Sequence, residues 1–232
     1  MNSIELRRYV MQPGRRDDLI DLFEREFIES QEACGMTPIG HYRDPAHPDT
    51  YVWLRGFPQA ASRKAALEAF YVNSPAWKAN RDAANATLVD SDDVLMLRPL
   101  FESSGIDLTG LKRPALGDDA APDSVVTVAV FALDGPLPDA AKAAIARDLV
   151  PALERCARRV AVLVTDEYPN EFPRLPVKSG WWLVVTGTVP RTGDLESFER
   201  RLEMNALPHE LSPHVTSAEH FRLEPAARSL YR

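Results

Sequence analysis

The chain has 232 residues, 45% hydrophobic and 26% charged, with a formal net charge of -7, a composition that suits a globular protein with one large or two small domains. A pI near 5.3 with scattered Lys and Arg residues excludes the basic face of a nucleic-acid binder. No apolar run reaches the length of a membrane span, Met1 to Tyr9 lacks the apolar core of a signal peptide, and two cysteines make no disulfide framework, so a cytoplasmic protein is expected.

The first strand runs through Glu5-Leu6-Arg7-Arg8-Tyr9 and ends before Pro13-Gly14. Leu19, Leu22, Phe23 and Phe27 then recur at helical spacing, which predicts a helix from about Arg15 to Ala33, with Gly35 as its left-handed stop. A strand over Pro38 to Arg43 closes in the turn cluster Asp44-Pro45 and His47-Pro48-Asp49. Tyr51 to Phe57 resumes as strand, and Ala60 to Val72 as helix. Ser74 as N-cap with Pro75 in the first turn restarts that helix through about Ala86. Asp93 to Arg98 is the fourth strand.

The order then repeats. Residues 103–124 carry Gly, Pro and Asp without periodicity and read as a linker. Beyond them come a strand from Val125 to Leu133, Gly135-Pro136, and a helix from about Pro138 to Ala157 that Pro151 should bend. Strands over Val160 to Asp166 and from Trp181 to Gly187, a helix from about Leu195 to Asn205, and a strand ending at Glu224-Pro225 complete the second copy. Repetition at this length governs the fold. Two copies of strand-helix-strand-strand-helix-strand predict an α+β protein: tandem ferredoxin-like (βαββαβ) units, 1–102 and 125–232, packing sheet to sheet as an α+β barrel.

Strand parity divides the residues of each sheet between two faces. In the first copy Ile4, Leu6, Val10, Val52, Leu54, Leu95 and Leu97 share one parity, the apolar face expected under the helices. Glu5, Arg7, Tyr9, His41, Arg43, Tyr51, Trp53, Arg55, Phe57 and Arg98 share the other, expected between the two sheets. That mixture reads two ways: an ion-pair network that specifies how the sheets dock, or a polar-aromatic pocket for a small molecule. In the pocket reading Arg7, Arg43 and Arg55 hold an acidic group, Tyr9, Trp53 and Phe57 wall the site, and His41 or Glu5 moves a proton. The second copy is apolar or small on both faces, and only His220 and Arg222 add polar groups; the asymmetry assigns any pocket mainly to the first repeat, or equally makes the second sheet its apolar lid.

Cys34 and Cys156 close the first helix of their repeats and read as small hydrophobes. No CxxC, HExxH, serine elbow, glycine-rich phosphate loop or dinucleotide fingerprint occurs, and His209 and His214 have no third ligand, so neither metal nor cofactor is expected.

The opening Glu5-Leu6-Arg7-Arg8-Tyr9 with Pro13-Gly14, Gly40 on the second strand, Val52-Trp53-Leu54-Arg55 on the third and Ser74-Pro75-Ala76-Trp77 resemble the NIPSNAP family of the dimeric α+β barrel superfamily. The stretch Pro169-Asn170-Glu171-Phe172-Pro173-Arg174-Leu175-Pro176-Val177-Lys178 resembles one found in many bacterial members. The resemblance implies the fold and brings no agreed catalytic residues. Related barrels include cofactor-independent monooxygenases, heme-degrading enzymes and small lyases. The resulting expectation is a cytosolic NIPSNAP-like protein that binds a small aromatic or anionic metabolite in a barrel cavity, with scope for cofactor-independent chemistry; a noncatalytic interaction or scaffold protein is the alternative. Its expected partners are a small-molecule ligand and further copies of the chain.

Overall fold

In the computed structural model, which describes residues 1–118 and 121–232, eight antiparallel strands close into one barrel. They are β1 (Ser3–Met11), β2 (Thr37–Arg43), β3 (Thr50–Phe57), β4 (Leu88–Pro99), β5 (Ser124–Leu133), β6 (Arg159–Thr165), β7 (Trp181–Pro190) and β8 (Val215–Pro225). Their order round the barrel is β1-β3-β2-β8-β5-β7-β6-β4. Each half thus keeps the ferredoxin-like order, its fourth strand beside its first and its third beside its second. The halves join twice, β2 to β8 and β4 to β6, so each repeat's two edge strands are paired by the other repeat. The expected architecture of two βαββαβ units in an α+β barrel is the one found. Residues 119–120, within the expected linker, lie outside the described residues.

The helices lie outside the barrel. The first expected helix is α1 (Arg16–Leu22) continued through a π turn (Phe23–Phe27) into α2 (Ile28–Glu32), and it ends at Gly35 with φ +82°. A second π turn (Ala69–Asn73) follows α3 (Arg63–Glu68), and α4 (Pro75–Asn85) starts from an extended Ser74 with Pro75 in its first turn. The Ser74 side chain makes no capping bond; its carbonyl accepts from the Lys78 N–H at 3.1 Å instead. In the second repeat α5 (Asp139–Ala144) passes through a third π turn (Ile145–Leu149) into α6 (Val150–Glu154), which has Pro151 in its first turn. The last expected helix stops early: α7 (Leu195–Arg200) is capped by Asp194 on the Ser197 N–H and followed by 3-10 turns at Met204–Ala206 and Ser212–His214.

Three apolar clusters fill the molecule, and their membership reverses the expected faces. Ile4, Leu6, Val52, Leu54, Leu95 and Leu97 pack with Val126, Val128, Val130, Leu163 and Val184 of the second repeat, so this parity lines the barrel interior. Tyr9, Tyr51, Trp53 and Phe57 pack with Leu19, Phe23, Phe27 and Phe70, beneath the first repeat's helices. The reason is solvation. The middle of the interior is packed with aliphatic side chains that cannot pair a charge, and Arg8, further along the same parity of β1, is paired there with Asp93 of β4 and Glu219 of β8. The helix layer supplies Glu24, Gln31, Arg63 and Tyr71, which do pair with the polar parity. Val10 departs from its group, being 48% exposed, because β1 shifts register against β4 between Arg8 and Val10. Among the described residues no helix is long and apolar enough to cross a membrane.

Candidate functional site

Pairing of β1 with β3 sets Glu5 opposite Arg55, Arg7 opposite Trp53 and Tyr9 opposite Tyr51, and β2 adds His41 beside Trp53. Period-two alternation therefore presents all seven to the helices of the first repeat.

Glu5 is fully buried and serves three guanidinium groups. Its Oε2 accepts from Arg7 Nη1 at 2.9 Å and from Arg55 Nε and Nη2 at 3.0 and 2.5 Å, and its Oε1 accepts from Arg63 Nε at 2.6 Å. Burial alone would raise the Glu5 carboxyl, but the charges of Arg55, Arg7 and Arg63 outweigh it and hold the group ionised, well below its ordinary 4.5. Three cations on one carboxylate leave two positive charges in excess. That charge is passed on to phenols. Arg7 Nε donates to the Tyr9 hydroxyl at 2.7 Å, and Arg55 Nη1 donates to the Tyr71 hydroxyl at 3.2 Å and to Gln31 Oε1 at 3.3 Å. Both guanidiniums also lie over the Trp53 ring, at 5.6 and 5.0 Å from its centroid.

On the other side of Tyr9, Tyr71 and Trp53 is a cavity of about 280 Å³. It lies outside the barrel wall, beneath the helices, whereas the barrel interior is packed with aliphatic side chains. Phe23 and Phe27 come from the first π turn and Phe70 and Tyr71 from the second, so both local widenings of the helices border the space. The rings meet edge to face, Phe23 on Trp53 at 5.1 Å and Tyr71 on Trp77 at 4.8 Å. Two buried polar atoms of the lining, the Tyr51 hydroxyl and Trp53 Nε1, make no hydrogen bond among the described residues. Burial pushes the Tyr51 phenol well above its ordinary 10, so it is a neutral donor.

The sequence-derived residues divide by position. Tyr9 and Trp53 line the cavity, and Arg7, Arg55 and Glu5 form the charged layer behind that wall. Phe57 is buried beyond them, under the Arg55 guanidinium. Arg43 is at the end of β2, paired with Asp17 at 2.8 Å and away from the cavity. His41 is fully buried behind Phe23, its ring 5.2 Å from that phenyl, with Nε2 on Glu24 Oε1 at 2.8 Å. Burial lowers the His41 pKa from 6.5, against the bond to Glu24, so the ring is neutral and Nε2 carries the proton.

Trp77, which the sequence offers as core or pocket wall, lines the cavity, but sequence reasoning missed the rest of the helix-borne part of the site: Gln31, Arg63 and Tyr71, and the aromatic lining of Phe23, Phe27 and Phe70. Helical spacing identifies an apolar face but does not show that it stops short of its partner. It also missed Phe172, Arg174 and Leu175 of the second repeat, which reach this cavity from the segment between β6 and β7. A signal was present there, since a Phe and a Leu in a proline-rich, aperiodic stretch need burial somewhere. Among the described residues no cluster of three or more His, Cys, Asp or Glu side chains is placed to hold a metal ion.

Comparison with known proteins bears on this fold and on the half that holds the site. A candidate monooxygenase from Lactobacillus acidophilus NCFM is similar in structure over 97% of this chain and 94% of its own, with 12% identity and a TM-score of 0.59. An anthrone oxidase-like protein is similar over 97% of this chain and 91% of its own, with 10% identity and a TM-score of 0.59. At these identities the likeness is one of fold. A NIPSNAP family protein from Agrobacterium tumefaciens matches over 46% of this chain and 100% of its own, with 18% identity and a TM-score of 0.41. No curated protein matches the sequence. The NIPSNAP family model matches residues 4–103, the stretch that carries β1 to β4 and the helices over the cavity.

Proposed function

We propose that the protein binds a small planar aromatic anion in the cavity between sheet and helices of the first repeat. The observation that carries this reading is the charge behind the cavity wall: two buried guanidinium charges without a counter-charge among the described residues, directed at the space through Tyr9 and Tyr71. Buried cations are costly unless compensated, and an anion in the cavity compensates them. Trp53 Nε1 and the Tyr51 hydroxyl supply two more donors for its oxygen atoms. The edge-to-face rings suit a planar partner, and about 280 Å³ is at the small end of ligand sites. Any chemistry at this place would use phenols polarised by arginine to stabilise charge on the ligand, since His41 is screened by Phe23.

Calorimetry and thermal shift with benzoate, para-hydroxybenzoate and naphthoate test the reading. At least one should bind and raise the melting temperature; Tyr51→Phe, which removes one donor and little volume, and Trp53→Phe, which removes the other donor with part of the ring wall, should each weaken it about tenfold. Absence of binding by every acid, or binding indifferent to both variants, returns the charged layer to a purely structural role and favours the scaffold alternative.

A further inference from the structure

The segment between β6 and β7 leaves the second repeat and lies against the first. Asn170 Oδ1 accepts from Arg63 Nη1 at 2.7 Å, Phe172 is buried in the first repeat's helix-side cluster, and the Lys178 N–H donates to the Val94 carbonyl at 2.9 Å. Asn170 also ties the segment internally, its Nδ2 donating to the Leu175 carbonyl at 2.9 Å. The backbone is thus fixed on both sides of Arg174. This arginine is exposed, lines the cavity, and has no hydrogen bond or ion pair among the described residues. It is the charged side chain of the lining, and it belongs to a different repeat from the buried arginines.

We propose that Arg174 is a specificity residue that reads a second acidic group at the cavity rim, so that the ligand is an aromatic compound acidic at two positions. The inference rests on the binding reading above. The inner oxygen meets Trp53 Nε1 and the Tyr51 hydroxyl, which are buried. Arg174 differs in being solvated, which leaves its planar fork free for bidentate contact with a carboxylate. Because the neighbouring Phe172 and Leu175 are packed, little backbone order has to be gained when it engages. The site is then a composite: the first repeat supplies the aromatic box and the second supplies the rim charge.

The test compares benzoate with terephthalate and isophthalate, which carry the second carboxylate at different reach, on the full chain and on Arg174→Ala and Arg174→Lys. At least one dicarboxylate should bind about fivefold tighter than benzoate, as suits a half-solvated ion pair. Arg174→Ala should abolish that preference and flatten its dependence on salt, with the melting temperature of the unliganded protein unchanged, and Arg174→Lys should keep part of it. If benzoate binds but neither dicarboxylate gains, or the gain survives Arg174→Ala, the assignment of Arg174 is wrong and the cavity reading stands. If none of the acids binds, both fall.

Discussion

At the scale of single residues, Glu5 is the point on which the site's electrostatics turn. Glu5→Gln keeps the shape and removes the carboxylate that Arg7, Arg55 and Arg63 share, so three buried guanidiniums repel with no counterion among the described residues. Breaking a buried ion pair by removing one partner costs about 3–5 kcal/mol, and chemical denaturation should show a loss of that order. The pH dependence has a definite sign. The folded carboxyl has its pKa depressed below 4.5, so its contribution is full above pH 4.5 and is lost as pH falls below it, where only the unfolded chain takes up the proton. Stability of Glu5→Gln should lack that dependence. His41 behaves alike in a higher window. Its folded pKa is lowered from 6.5, so its contribution is full above pH 6.5 and declines as pH falls below it. In His41→Gln, which keeps a donor for Glu24, unfolding measured on either side of pH 6.5 should show a shallower slope; an unchanged slope would mean that His41 is not the group responsible.

Among the elements, β2 shows how one missing side chain permits a whole arrangement. A Cβ on Gly40 would lie 2.0 Å from the Tyr42 hydroxyl. That hydroxyl donates to the Tyr231 carbonyl at 3.0 Å, and the Tyr231 hydroxyl in turn donates to the Thr186 carbonyl of β7 at 3.3 Å. The residues after β8 are thereby tied across the barrel from the first repeat to the second. Gly40→Ala should displace Tyr42 and cost about 1–3 kcal/mol. The displacement is measurable as faster amide exchange at Leu230 and Tyr231, whose N–H groups both bond to the Ile39 carbonyl; unchanged exchange would show that the ring moves aside at no cost to the tie.

For the molecule as a whole, the two repeats complete each other. Residues 1–103 alone would leave β2 and β4 as open edges and would expose Ile4, Leu6, Val52, Leu54, Leu95 and Leu97. Exposed edges and apolar faces associate. The isolated half should therefore sediment as a dimer or larger species, with its β2 edge on a partner's β4 edge in place of β8 and β6. A folded, soluble monomer in analytical ultracentrifugation would contradict this. Residues 169–178 would also be missing, so Arg63 would lose Asn170, and the cavity Phe172 and Arg174.

Local pattern determined a good deal. Strand alternation, the turn cluster from Asp44 to Asp49, Gly35 and the recurrence after residue 124 identified eight strands and two ferredoxin-like units, because each rests on backbone preferences that act within a few residues. Parity also separated correctly which side chains share a face: Glu5, Arg7, Tyr9, Trp53 and Arg55 do lie together. Which way that face points was decided only in three dimensions. Alternation carries no sign, and the choice depended on whether the helices or the opposite sheet could satisfy the charges, a question settled by Gln31, Arg63 and Tyr71 arriving from distant parts of the chain. The cavity and its rim at Arg174 were decided there too, because empty space is a property of how packed layers fail to meet, and no residue or spacing encodes it alone.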